Sequence, residues 1–304
     1  MQSLFCFLLS LTISQAQDFS QGKVLREFPE ARYIYALCST PDDAYIGLAL
    51  DHQKILILDK KYQNFAEFKI EPYHGGSVGG FSPGGENFVF YKYAEDDTLF
   101  HFNIDKRELT YTKFNFIYGV DFPDESELMF IQGRTDVLAY HPQNESRAIV
   151  ESAPYLIEDI VLSKSKNKMA ISYTFYPRVD IYSLDNMKRI DSIEIEVKQP
   201  LELCMNDALL AYQKNSVVHI IGLEDNSLDA IFSLPYERIR NLLLVNQGIY
   251  ITGGKSELAY YDFTSKKLSY FPVNIEGITD DMYQLHNGDI LLVIDKKLVL
   301  FEGG

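Results

Sequence analysis

Three Pro-Tyr pairs, Pro72-Tyr73, Pro154-Tyr155 and Pro235-Tyr236, stand out in the sequence. His74 and Arg238 lie beside them, and Arg32-Tyr33, Arg134 and Tyr176-Pro177-Arg178 belong to similar stretches. Tyrosine and arginine supply large contact areas at little entropic cost, which is why they dominate binding hot spots. The chemistry these residues suit is the gripping of a protein or peptide. Their competing role is mechanical, because proline stiffens a connection and tyrosine covers a joint. Arg32, Tyr33, Tyr73, His74, Arg134, Tyr155, Tyr176, Arg178, Tyr236 and Arg238 are the candidate binding residues.

Catalytic patterns are thin. The histidines are His52, His74, His101, His141, His219 and His286, and they form no His-Glu-x-x-His. No paired-cysteine spacing marks a zinc site, and no Gly-x-Ser-x-Gly elbow is present. Gly75-Gly76-Ser77-Val78-Gly79-Gly80 lacks the lysine and following helix of a phosphate cradle. It reads instead as a flexible entry to a strand. Glu158-Asp159 and Asp280-Asp281 could offer oxygen ligands to Ca²⁺. Neighbours on a strand point to opposite faces, so at most one of each pair faces inward. No catalytic residue, metal ligand or cofactor is assigned.

Composition narrows the partners. The 304 residues are 46% hydrophobic and 23% charged, with 21 Tyr, 20 Phe and no Trp. This is a globular mix rich in strand-forming aromatics. A net charge of −15 repels phosphate backbones and anionic lipid, so neither nucleic acid nor a membrane surface is expected as a partner. Leu4 to Ile13 is a short apolar run ending in Ser14-Gln15-Ala16. It is too short to span a bilayer and fits a secretory signal over residues 1–16. The expectation is a secreted or periplasmic monomer, or a cytoplasmic protein if this run is retained. After cleavage Cys38 and Cys204 remain, and two buried free thiols are expected. Asn144-Glu145-Ser146 is a glycosylation sequon in an expected turn.

The elements that position these residues repeat. "FSPGGENFVFYKY" (Phe81 to Tyr93) is a turn followed by an apolar strand, and the same unit recurs along the chain. Its marker residues are Tyr45, Phe88, Leu128, Met169, Leu209, Ile249 and Ile290, spaced 40 to 43 residues apart. A period near 40 with several strands per unit is the signature of a β-propeller. Other strands end at Asp59, Asp105, Asp185, Asp225 and Asp262, where an aspartate starts a turn by bonding its own backbone. The last unit lacks an outer strand, and Lys23 to Phe28 is a strand without a unit. Pairing the two closes the ring and removes a bare edge. The fold expected is all-β: one domain over residues 17–304, a seven-bladed β-propeller of four-stranded blades, its last blade completed by the N-terminal strand.

The stretch His74…Val78…Phe81-Ser82-Pro83-Gly84-Gly85 resembles the His…Val…Phe-Ser-Pro-Asp-Gly pattern of WD-repeat and YVTN-like propellers. Leu58-Asp59, Ile104-Asp105, Leu184-Asp185 and Tyr261-Asp262 stand where the WD family has Trp-Asp. The resemblance implies a top face, built from links between blades and turns between second and third strands, where binding usually occurs. It puts the candidate residues there. The function expected is a non-enzymatic scaffold that binds a protein or peptide. The alternative is a propeller hydrolase or lyase using acids and His at the channel mouth, with or without Ca²⁺.

Overall fold

The computed structural model describes residues 22–70, 75–93, 97–122, 128–141, 146–153, 155–163, 168–195, 203–206, 208–224, 227–235, 239–253 and 257–302. Residues 1–16, read above as a secretory signal, and Tyr73, His74, Asn144, Tyr236 and Arg238 lie outside them.

Every regular element among these residues is a strand. The first, β1 (Lys23–Glu27), precedes the repeats. Blade 1 holds β2 (Ile34–Ser39), β3 (Tyr45–Leu50), β4 (Lys54–Asp59) and β5 (Asn64–Lys69). Blade 2 holds β6 (Gly75–Phe81), β7 (Asn87–Tyr93), β8 (Thr98–Asn103) and β9 (Glu108–Lys113). Blade 3 holds β10 (Gly119–Asp121), β11 (Met129–Gln132), β12 (Asp136–His141) and β13 (Ser146–Ser152). Blade 4 holds β14 (Ile157–Ser163), β15 (Lys168–Tyr173), β16 (Tyr176–Ser183) and β17 (Lys188–Glu194). Blade 5 holds β18 (Leu203–Met205), β19 (Leu209–Lys214), β20 (Val217–Gly222) and β21 (Leu228–Ser233). Blade 6 holds β22 (Asn241–Val245), β23 (Gly248–Thr252), β24 (Glu257–Asp262) and β25 (Lys267–Pro272). Blade 7 holds β26 (Thr279–Gln284), β27 (Ile290–Ile294) and β28 (Lys297–Phe301), with β1 as its outer strand. The marker residues fall within one position of the start of each second strand.

Closure follows the sequence argument. β1 runs antiparallel to β28, with Lys23 opposite Leu300 and Val24 opposite Val299. Phe28 N–H then donates to the Lys296 carbonyl at 2.9 Å and carries the chain into blade 1.

Central strands are apolar throughout because both of their faces are covered. In β7, Phe88 and Phe90 pack toward blade 1 beside Ile55 and Ile57. The alternate residues Val89 and Tyr91 pack toward blade 3 with Met129 and Ile131. Each fully buried ring or branched chain here contributes about 1.5–3 kcal/mol. Similar clusters fill the other seams, including the closing one, where Leu291, Val293 and Leu298 meet Phe28, Ile34 and Leu48. Gly47 marks a tight approach, since a Cβ there would overlap the Phe88 ring from the next blade and meet Cys38 Sγ at 2.8 Å.

Asp59 and Asp262 make turns at third-strand ends as expected, whereas blade 2 turns on Asn103, whose Oδ1 accepts the Lys106 N–H at 2.9 Å, and Asp225 lies outside the described residues. Asp59 Oδ1 accepts the N–H groups of Lys61 at 2.8 Å and Gln63 at 3.0 Å, and Asp262 Oδ1 accepts that of Ser265 at 2.6 Å. Blade 4 turns on Asn186, whose Oδ1 accepts the Lys188 N–H at 3.0 Å. Cys38 and Cys204 are free thiols but only partly buried. Cys38 is partly open because it lines the lower mouth of the channel.

Candidate functional site

Antiparallel strands alternate direction, so the turns between second and third strands share one edge of the ring with the links between blades. That shared edge is the top edge. Acids pin it. Asp51, in the turn after β3, accepts the N–H groups of Arg32 at 2.8 Å and Tyr33 at 3.0 Å on its Oδ1. Asp97 accepts the Ile117 N–H from the link that leaves blade 2. Asp295 accepts the Ile278 N–H at 3.0 Å in blade 7. Each carboxylate satisfies backbone donors that no strand pairs, and so fixes a link against a turn.

Between blades 1 and 2 this edge carries a patch of rings. Tyr33 lies 5.8 Å from Tyr35 and 5.3 Å from His52, centroid to centroid, and Tyr35 lies 4.2 Å from His52. His52 Nδ1 is 3.0 Å from Tyr93 Oη, and Tyr35 donates its hydroxyl to the Gly76 carbonyl. Burial pushes the Tyr35 and Tyr93 phenols up and holds His52 below the ordinary imidazole range. The patch is therefore uncharged at neutral pH. Beyond it lies a pocket of about 580 Å³ lined by Tyr93, Asp97, Phe114, Asn115, Phe116, Ile117 and Tyr118. Phe116 and Tyr118 form its exposed rim, at 52% and 55% exposure.

A second patch sits on blade 4, where three of the candidate residues meet. Tyr155 stacks on Tyr176 at 3.9 Å and 15°, and the Arg178 guanidinium lies 5.0 Å from the Tyr176 centroid. Arg178 Nη2 also donates to Asp180 Oδ2 at 2.8 Å. Asp180 is completely buried and takes further bonds from Tyr173 Oη at 2.8 Å and Ser192 Oγ at 2.6 Å. Arg178 thus anchors a buried carboxylate as well as facing the rim. Phe175, at the apex of the adjoining turn, is 70% exposed.

The other described candidates stand apart. Arg32 is exposed on the link into blade 1. Arg134 is exposed in the top turn of blade 3, and its carbonyl accepts the Ile157 N–H at 2.9 Å. The sequence did not mark His52, Tyr93, Phe116 or Tyr118 as binding residues, and it placed Phe175 in the top turn with Tyr176 and Arg178 without choosing it as a contact. An aromatic where a turn would favour Asn or Gly was the available signal for Phe116 and Phe175.

The acid pairs at the inner strands do other work. β-bulges fall at Glu158 and at Asp280, so strict alternation breaks there. Glu158 Oε2 accepts the Thr174 hydroxyl at 2.6 Å, and Asp280 pairs with Arg240. Asp281 Oδ1 accepts from Met282 N–H at 2.7 Å and Asn241 Nδ2 at 2.8 Å, and the N–H groups of Ala36 and Leu37 also favour its charge. Burial outweighs them and pushes its carboxyl up to about 6.

At the lower mouth, Ser39 Oγ donates to Asp43 Oδ1 at 2.7 Å, while His286 Nδ1 lies 3.4 Å from both groups. With serine bonded to the acid rather than to a relaying imidazole, this is not the serine–base–acid order of a nucleophilic triad. Asp43 also accepts the His286 and Asn287 N–H groups, which ties blade 7 to blade 1. Among the described residues, no group of three His, Cys, Asp or Glu is placed to hold a metal ion.

The chain matches no family model and no curated protein. Among solved structures it is similar to U3-55K, with a TM-score of 0.74 and 11% identity over 95% of this chain and 100% of that one. At that identity the likeness shows the propeller ring and not a repeat family.

Proposed function

We propose that this chain is a non-enzymatic binding scaffold that recognises a protein or peptide on the top edge of blades 1 to 4. The observation that carries this reading is where apolar surface is left uncovered. Among the described residues, the exposed large hydrophobic side chains fall into two sets. One set is scattered over outer strands: Val24, Leu109, Tyr111, Ile190, Leu228, Ile231 and Tyr270. The other is Tyr33, Phe116, Tyr118, Tyr155, Leu156 and Phe175, all on the top edge of blades 1 to 4. Exposed apolar groups gathered on one surface mark interaction sites.

Backbone conformation supports the same surface. Phe116 and Phe175 have φ of 68° and 60°. A bulky side chain in the left-handed region costs about 1–2 kcal/mol. In comparable turns the chain uses Asp51, Asn215 and Asp295 at positive φ, two residue types that tolerate it. Folding alone gains nothing from an exposed phenylalanine at such a position, whereas a partner would.

The test compares wild type with a Phe116→Ala, Tyr118→Ala, Phe175→Ala triple variant in capture from native extract or secretion. Loss of the captured protein with Tm unchanged supports the reading, and unchanged capture overturns it. We further propose that the protein acts outside the cytoplasm after loss of residues 1–16. N-terminal sequencing of the expressed protein checks this, and a retained Met1 would refute it.

A further inference from the structure

An outer strand presents a row of backbone N–H and C=O groups that its own sheet does not pair, and such a row invites another strand. β1, β5, β13, β17 and β21 break that row. Each carries one extra residue against its neighbour, as Phe65 does in β5 and Ile190 in β17. Bulges of this kind twist an edge and interrupt its pairing. β25 is unbulged but ends at Pro272. β9 has neither device: its six residues, Glu-Leu-Thr-Tyr-Thr-Lys, pair with β8 in unbroken register. We propose that the β9 edge is a self-association surface, on which a second copy of this chain lays its own β9 antiparallel across a two-fold axis. The monomer expected of the sequence is then the species at low concentration.

Hydrogen-bond direction fixes which groups face out. Phe114 N–H donates to the Asp97 carbonyl at 3.0 Å, and direction alternates along a strand. Glu108, Thr110 and Thr112 therefore bond toward β8, and Leu109 and Tyr111 turn their N–H and C=O groups outward. The same reasoning in β25, from the Phe263 N–H to the Gln247 carbonyl, turns Pro272 outward, where it supplies no donor.

A second copy fits this edge. Setting Leu109 opposite the copy's Tyr111, and Tyr111 opposite its Leu109, makes two hydrogen-bonded pairs, each exchanging both N–H···O bonds. The two side chains are exposed, at 46% and 65%, and an aliphatic–aromatic pair across strands is favourable. The same register puts Thr110 opposite Thr110 and Glu108 opposite Thr112, so like charges do not oppose within the strand pair. Arg107, just before the strand, turns away at φ 54°, with its guanidinium 4.6 Å from the Phe65 centroid. The chain carries −15, but β9 itself holds one acid and one base. Net repulsion thus acts at range and not at the contact. One strand from each copy is a small area, of the weak and transient class. Antiparallel pairing also inverts the second ring, so the two top edges face opposite ways.

Sedimentation equilibrium of the full chain from about 1 to 500 µM tests this. We expect a monomer–dimer equilibrium with Kd of about 10–200 µM. Tyr111→Pro copies the β25 device by removing an outward donor while sparing the β8 ladder. It should weaken the dimer at least about tenfold with Tm near that of wild type. Leu109→Lys with Tyr111→Lys opposes like charges in both pairs and should do the same, which keeps the test open if proline disturbs the fold. Thr110→Cys reads the register, because partners outside the hydrogen-bonded pairs sit about 4.5 Å apart, within disulfide reach. Mild oxidation should join two copies through position 110 at least about tenfold faster than Ser269→Cys, on the exposed β25, joins them through position 269. Peptide mass spectrometry identifies the link. A chain monomeric up to about 500 µM, a dimer indifferent to both edge variants, or equal cross-linking at the two positions overturns the proposal. So does a monomer whose β9 variants lose a captured protein, because the edge then takes a foreign strand.

Discussion

Protonating Asp281 should stabilise the ring. Its carboxyl lies where the inner strands of blades 6, 7 and 1 meet, and burial pushes it from 3.8 up to about 6. The unfolded chain ionises this group near 3.8. Between those values the folded chain keeps a proton that the unfolded chain has lost. The added stability is therefore full below about 3.8 and is lost as pH rises through about 6. An interval of about two pH units, at about 1.4 kcal/mol each, amounts to about 3 kcal/mol. Asp280 faces the same region and is also raised by burial, with Arg240 opposing the shift and Asp295 adding to it. Its share stays in both proteins when wild type is compared with Asp281→Asn. Urea unfolding followed by circular dichroism from about pH 4 to 7.5 should show wild type losing up to about 3 kcal/mol more than the variant. A fixed offset of about 1 kcal/mol at all pH values is expected as well, because the amide presents a donor to Asn241. Parallel pH profiles would refute the reasoning, since Asp281 would then titrate alike in both states.

Phe175→Asn should raise stability by about 1 kcal/mol, read as an increase in Tm, because Asn suits a positive φ; a fall in Tm would show that the ring packs in place. Asp180→Ala should cost about 3–5 kcal/mol in urea unfolding by stranding Arg178, Tyr173 and Ser192, and Arg178→Met should recover part of that loss. Gly47→Ala should cost about 1–3 kcal/mol by driving a methyl into the Phe88 ring, measured by thermal unfolding. Deleting Lys23–Glu27 should expose the β28 edge and cause concentration-dependent aggregation, visible by light scattering.

The ring was legible in the sequence because its cause is local and repeated. Each blade needs a turn before its second strand, and Pro83-Gly84-Gly85 or Asn287-Gly288 announces one. The need to cover a bare edge matched β1 to β28 without reference to any contact. The site was only partly legible. Tyr155, Tyr176 and Arg178 fall within one blade repeat and came together as a stack. His52 and Tyr93 are 41 residues apart and meet only because adjacent blades stand side by side. No local pattern reports that contact. The bond from Arg178 to Asp180 was equally hidden, because neighbours two apart on a strand share a face whether or not they touch. Phe116 and Phe175 needed backbone angles to stand out.

Lys23 opposite Leu300 places the start and finish of the described fold together on the lower edge. The aromatic arc occupies the opposite rim. A linker, tag or surface attached at either end would therefore hold the molecule by its underside and leave the arc facing outward. Immobilising it through its ends keeps the candidate contact residues open to whatever arrives from solution.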